Sequence, residues 1–156
     1  MDFNRRSFLE RSIALGTLSL TAAGLCVCAL AGCVKQDRTP VIEARWLEVS
    51  ASELRVHVKN VPALQRPGAA KVVHERLPEP IIIIRAADEA RFIACSGNCT
   101  HRGRPLEYAS ASQELRCINF GHSTFALDGI PKTGPAKRSL RIYKTLYLNG
   151  VLEIFL

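Results

Sequence analysis

Two short stretches hold the residues with the most chemistry. In "ACSGNCTHRGRPLEY" (94–108), Cys99 and His101 stand two apart; in "ELRCINFGHSTF" (114–125), Cys117 and His122 stand five apart. Thiolate and imidazole are the donors that hold iron–sulfur clusters and zinc. One of each from two loops makes a set of four, provided the loops meet. Three outcomes stay open: a cluster with mixed ligands, a single tetrahedral zinc or iron, or a loop pair that keeps the outline of a site without metal. Cys95 is left over. It reads as a small buried hydrophobe on a strand, or as a disulfide partner for Cys117 or Cys99 in an oxidising compartment if no cluster forms. His57 and His74 have no partner at ligand spacing and read as ordinary surface or half-buried residues. Trp46 reads as a core anchor. The chain has no Ser-His-Asp arrangement, no Gly-rich phosphate loop and no defensible general acid–base pair.

The elements that must position these loops look like strands. "RVHVKN" alternates apolar and polar residues at period two. "PIIIIRA" is an unbroken β-branched run that reads as a central strand, and "RFIACS" follows after a turn at "AADEA". "QELRCINF" is another strand. "RIYKTLYL" and "VLEIFL" flank Asn149-Gly150, the strongest short hairpin signal. No long stretch has a 3.6-residue period. The expected fold is all-β, an antiparallel sandwich or small barrel.

The N-terminus reads as separate from that fold. Arg5 and Arg6 precede Ser7, Phe8 and Leu9, and an uncharged stretch runs from Ser12 to Cys33. A basic start, an apolar core and a small-residue exit is an export pattern, and the arginine pair with Phe8 and Leu9 resembles a twin-arginine signal. "LAGC" (30–33) resembles a bacterial lipobox with Cys33 as the lipidated residue. The other reading keeps 12–32 as a membrane-anchoring helix, since about 20 apolar residues span a bilayer. The expected organisation is a signal or anchor over 1–32, a lipidated Cys33 and tether over 33–44, and a single domain over 45–156. Either anchor places the domain at the bacterial cell envelope, on a periplasmic or extracytoplasmic face. Residues 33–156 carry 18 Lys and Arg against 12 Asp and Glu, or +6. The basic residues are scattered, which suits an acidic partner or anionic lipid and argues against nucleic acid.

The first loop, and the strands on either side of it, resemble the Rieske [2Fe–2S] family. "PIIIIRAADEARFIAC" is similar to the strands leading into that family's first ligand loop, and "CTHRGRPLEY" to the loop itself. "HSTFALDGIPKTGPAKRSLRIYKT" is similar to its second loop, its Gly-Pro-Ala loop and its closing strands. The resemblance covers about 50–156. It implies a [2Fe–2S] cluster with Cys99 and Cys117 on one iron and His101 and His122 on the other. It also implies a hydrogen bond from Ser123 toward the cluster and a covering loop containing Gly134 and Pro135. The implied role is single-electron transfer with a redox partner protein or a quinol-oxidising membrane complex, as a subunit or carrier.

The second loop departs from the family. There the ligand Cys is followed by two residues, the ligand His, and then Gly-Ser-x-Phe or Gly-Ser-x-Tyr. Anchored on Ser123 and Phe125, Gly121 falls at the His position and Ile118 at the Cys position, so Cys117 is one residue early and His122 one late. The disulfide that clips the loops in many members has no counterpart, since Arg104 and Phe120 stand near those positions. Phe125 replaces a Tyr whose hydroxyl bonds a ligand sulfur. Fewer such bonds imply a low potential.

Overall fold

The structure, a computed structural model, describes residues 37–156 apart from 88–90 and 119–121. Arg5, Arg6 and Cys33 lie outside the described residues, as does the tip of the turn after the isoleucine run. No helix among the described residues is long and apolar enough to cross a membrane.

The domain is all-β, as expected, and its described residues form eleven strands in two antiparallel sheets. The larger sheet has the order β1 (Leu47–Val49), β2 (Glu53–His57), β11 (Val151–Phe155), β10 (Ile142–Leu148), β5 (Phe92–Ser96), β4 (Ile81–Arg85), β3 (Gly68–Val72). The smaller sheet runs β6 (Leu106–Ala109), β7 (Glu114–Cys117), β8 (Thr124–Phe125), β9 (Pro131–Thr133).

The isoleucine run is unbroken because β4 is covered on both faces. Side chains alternate across a strand. Ile81 and Ile83 enter one apolar cluster with Leu54, Val56, Leu152 and Ile154. Ile82 and Ile84 enter a second, with Leu106, Leu115 and Phe125 of the smaller sheet. β5 divides the same way, with Phe92 and Ala94 in the first cluster and Ile93 and Cys95 in the second. The second cluster therefore forms the floor under the two ligand loops. The β10–β11 hairpin turns at Asn149 (φ 52°) and Gly150 (φ 87°), the pair of positive φ values a tight two-residue hairpin requires.

The stretch expected to be a short tether is in part laid on the domain. Val41 bridges Lys71 in parallel, the Ile42 amide donates to Lys71 O (2.8 Å), and Ile42 is buried. Apolar Ile42 finds a place in the first cluster, which the sequence pattern of 34–44 does not reveal. The buried Lys71 ammonium is ion-paired with Asp37 and also reaches Leu106 O (3.4 Å), so it links the N-terminal segment, β3 and β6. Burial alone would push the Asp37 carboxyl up, but the hydrogen bonds from Lys71 and Thr39 hold it below the usual carboxylate range. A carboxylate with a depressed folded pKa stabilises the fold above its unfolded value, about 3.9. That contribution is lost as pH falls through the folded pKa. Asp37→Asn is therefore expected to cost about 2 kcal/mol at pH 7, by stranding the Lys71 charge. It should also flatten the loss of stability below about pH 4. Urea unfolding at pH 7 and at pH 3.5 checks both; an unchanged pH dependence would remove Asp37 from the account.

Candidate metal centre

β5 runs directly into the first loop, and Gly97 sits at the junction. Its amide donates to Pro80 O (2.7 Å), and its carbonyl accepts from the Leu106 amide (2.8 Å). A Cβ there would stand 2.9 Å from Pro80 O and 3.1 Å from Pro80 Cβ. This close approach holds the loop between β4 and β6. Asn98 then bridges Pro105, and its amide donates to Ser96 Oγ (3.2 Å). The Cys99 amide donates to Arg104 O (2.7 Å) and the Gly103 amide to Cys99 O (2.8 Å), closing 99–104 into a tight turn with Gly103 at φ 65°. The turn buries Cys99, at 2% exposure, and leaves His101 at the surface.

The second loop leaves from the end of β7. Cys117 lies opposite Leu106, is 6% exposed, and shares the second apolar cluster with Cys99 and Cys95. Its amide donates to Ser123 O (2.9 Å), and the Ile118 amide donates to Pro105 O (3.2 Å), which joins the two loops. Ser123 is buried, and its Oγ accepts from the Ala136 amide (3.1 Å). A hydroxyl that accepts one bond still has a proton to donate. Gly134 (φ 82°) and Pro135 are exposed, and the turn they make brings Ala136 inward. His122 is exposed at φ 37°, with Nδ1 3.4 Å from Cys117 O.

No disulfide joins Cys95, Cys99 or Cys117. Burial, with the nearby Glu79 carboxylate, pushes the Cys95 thiol up to about 12, and its Sγ lies 3.8 Å from Ile82 O. Cys95 thus behaves as a packed hydrophobe rather than a reactive thiol. His57 is bonded to Glu48 (2.9 Å), and the His74 Nδ1 accepts from the Arg76 amide (3.1 Å), so neither takes part in the loops.

A family model described as the Rieske [2Fe-2S] domain matches residues 55–144, more than half of the chain. The chain belongs to the Rieske [2Fe–2S] domain family. No curated protein matches it by sequence. Among solved structures, the cyanobacterial plasma membrane Rieske protein PetC3 from Synechocystis PCC 6803 is similar at 23% identity and a TM-score of 0.49, over 56% of this chain and 85% of that one.

Against the Rieske pattern the backbone of the second loop is informative. His122 stands where the family has Gly, and it takes the positive φ that Gly takes at little cost. The Ser123–Ala136 bond and the burial of Phe125 fix the Ser-x-Phe anchor inside the domain. In donor type and burial the residues suit a [2Fe–2S] cluster: two sheltered thiols and two exposed imidazoles. Among the described residues, however, no three His, Cys, Asp or Glu side chains are gathered around one point where a metal ion could sit. Four side chains of the right kind are thus present on the two Rieske loops, and the intervening 119–121 lie outside the described residues.

A further tie on the first loop has no local signal in the sequence. Thr100 Oγ1 donates to Arg138 O (2.7 Å), and Arg138 Nη2 donates back to Thr100 O (3.3 Å). This reciprocal pair ties the first loop to the segment after Gly134-Pro135-Ala136. Gly97 has only a weak local signal, "SGN" just before Cys99. Gly97→Ala is expected to cost about 1–3 kcal/mol, because backbone rather than a mobile side chain faces the new methyl. Urea unfolding measures it. A change below about 0.5 kcal/mol would mean that the approach to Pro80 has slack.

Proposed function

We propose that this chain is a Rieske-type [2Fe–2S] electron-transfer protein or subunit. It is held at the bacterial cell envelope through a lipidated Cys33 or an N-terminal helix, and passes single electrons to or from a respiratory or periplasmic oxidoreductase. Cys99 and Cys117 would hold one iron, and His101 and His122 the other. The observation that carries this reading is the joint burial of Cys99 and Cys117 in one apolar cluster, on the same two loops that carry the exposed histidines. When bound, the group supplies one-electron redox chemistry. The chain's own residues do the rest. The Ile82, Leu106, Leu115 and Phe125 floor excludes water from the thiol side. Ser123 keeps a hydroxyl proton to donate. Thr100, Arg138 and Pro105 hold the loops together, and His101 and His122 offer the surface at which a partner can approach. Oxidation or reduction of a substrate falls to that partner.

The test is an absorption and low-temperature EPR spectrum of the full chain, produced with iron available and reduced with dithionite. Expected are about two irons per chain and a rhombic signal with average g below 2. Colourless, iron-free, EPR-silent protein would sink the reading. It would favour a cluster-free Rieske-fold envelope interaction module, which the His122 backbone and the dispersed donors support. One zinc per chain without iron would favour a tetrahedral site instead.

A further inference from the structure

Beside the first loop lies a cleft of about 560 Å³ whose lining includes His101, Arg102, Arg138 and Arg141, with Glu79 as its one carboxylate. The three arginines are exposed. Two of them are held in place. Arg138 donates to Thr100 O, and the Arg141 guanidinium lies 4.9 Å from the centre of the Tyr143 ring. Glu79 is turned inward, with one oxygen accepting from Ser96 Oγ (2.5 Å) and the other from the Tyr143 hydroxyl (3.2 Å). Among the described residues none of the three arginines is ion-paired with a carboxylate. The cleft therefore presents three guanidinium groups against one carboxylate, and that carboxylate is taken up by Ser96 and Tyr143. A guanidinium keeps five N–H donors in a fixed fork that matches a carboxylate.

We propose that this cleft is the docking site for the acidic face of a partner protein, whose Asp and Glu side chains enter between Arg102, Arg138 and Arg141 beside His101. The choice of a protein over a lipid surface follows from the lining. It has no large apolar side chain to enter a bilayer, and its guanidinium forks match side-chain carboxylates. Complementary charge at such a rim speeds encounter and fixes orientation. Placed here, it would bring the partner against the exposed imidazole of the first loop. The proposal deepens the electron-transfer reading by naming the chemistry of the partner, but docking itself needs no cluster.

The experiment is a calorimetric titration of the full chain with a deca-glutamate peptide at about 50 mM and about 500 mM salt, where the screening length shrinks from more than 10 Å to a few ångström. The wild type is expected to bind at low salt and to lose about tenfold in affinity at high salt. Arg102→Gln with Arg141→Gln should weaken low-salt binding by about tenfold, and R102E with R141E by more. Lys144→Glu, on an exposed position of β10, should change it by less than about twofold. Undiminished binding in both double variants overturns the proposal, as does an equal loss with K144E, which would make net charge the cause. Binding to anionic phosphatidylglycerol vesicles but not to the peptide, with the same arginine dependence, overturns it in favour of a membrane contact. If the protein is iron-free yet passes the peptide test, the docking site stands and only the electron-transfer reading falls.

Discussion

Replacing His122 by glycine is expected to strip iron from the loaded protein and, in the same molecule, to stabilise the metal-free fold. The two effects have separate causes. His122 is the imidazole that the second loop supplies to the proposed cluster, so its removal leaves one iron without a ligand. Iron should drop from about two per chain to background. The backbone effect is local. At φ 37° a side chain with a Cβ sits in the left-handed region, where L-residues pay about 1–2 kcal/mol and His somewhat less than most. Glycine escapes that cost but gives up more entropy on folding, about 0.5–1 kcal/mol. The balance is a gain of about 0.5 kcal/mol for the metal-free protein. His122→Ala should lose the iron without the gain. Iron analysis and urea unfolding of the three proteins separate the terms. If H122G keeps its iron, His122 is not a ligand and the shifted spacing of the second loop has moved the site elsewhere. If H122G is less stable than wild type, the ring contact at Cys117 O outweighs the backbone cost.

The same residue shows where sequence reading reaches its end. Ser123 and Phe125 are identifiable as an anchor because the pattern that carries them is local, two residues apart, and the structure places both inside. From that anchor the displacement of Cys117 and His122 follows by counting. What counting cannot give is how the backbone absorbs it. The strands behave alike. β4, β5 and the β10–β11 hairpin are legible because their β-branched runs and the Asn-Gly turn are strong local signals. β3, with the sequence "GAAKV", has none of these and becomes a strand because β4 offers a partner along its whole length, from Gly68 opposite Arg85 to Val72 opposite Ile81. "RVHVKN" reads as one strand, yet the backbone leaves the extended form after His57 and turns through Val58–Asn60. The contacts that hold the loops have no local signal at all. Thr100 meets Arg138 across 38 positions, and Lys71 meets Asp37 across 34. Such pairs depend on which surfaces the sheets bring together, and no spacing rule contains them.

Phe125→Tyr has the next largest consequence, and its sign depends on what occupies the loops. Phe125 is fully buried among Cys99, Cys117, Leu106 and Leu115. The wild-type protein lacks the hydroxyl that other members aim at a ligand sulfur, so its midpoint is expected in the lower part of the Rieske range, roughly −150 to +300 mV. Tyrosine restores that hydroxyl. A hydrogen bond to sulfur withdraws electron density and favours the reduced state. At a net contribution of about 1 kcal/mol, one such bond corresponds to a rise of about 40 mV for a one-electron couple. Without a sulfur acceptor the hydroxyl is a buried donor in an apolar cluster, and the metal-free variant should lose about 1–3 kcal/mol of stability. The two measurements therefore belong together: a redox titration of the loaded protein and urea unfolding of the metal-free one. A raised midpoint with a destabilised metal-free form places the ring against a ligand sulfur. A lowered stability with an unmoved midpoint means the hydroxyl finds no sulfur there, and the low potential must come from elsewhere. A wild-type midpoint near the top of the range would reject the argument before any substitution is made, because the missing hydroxyl would then have cost the cluster nothing.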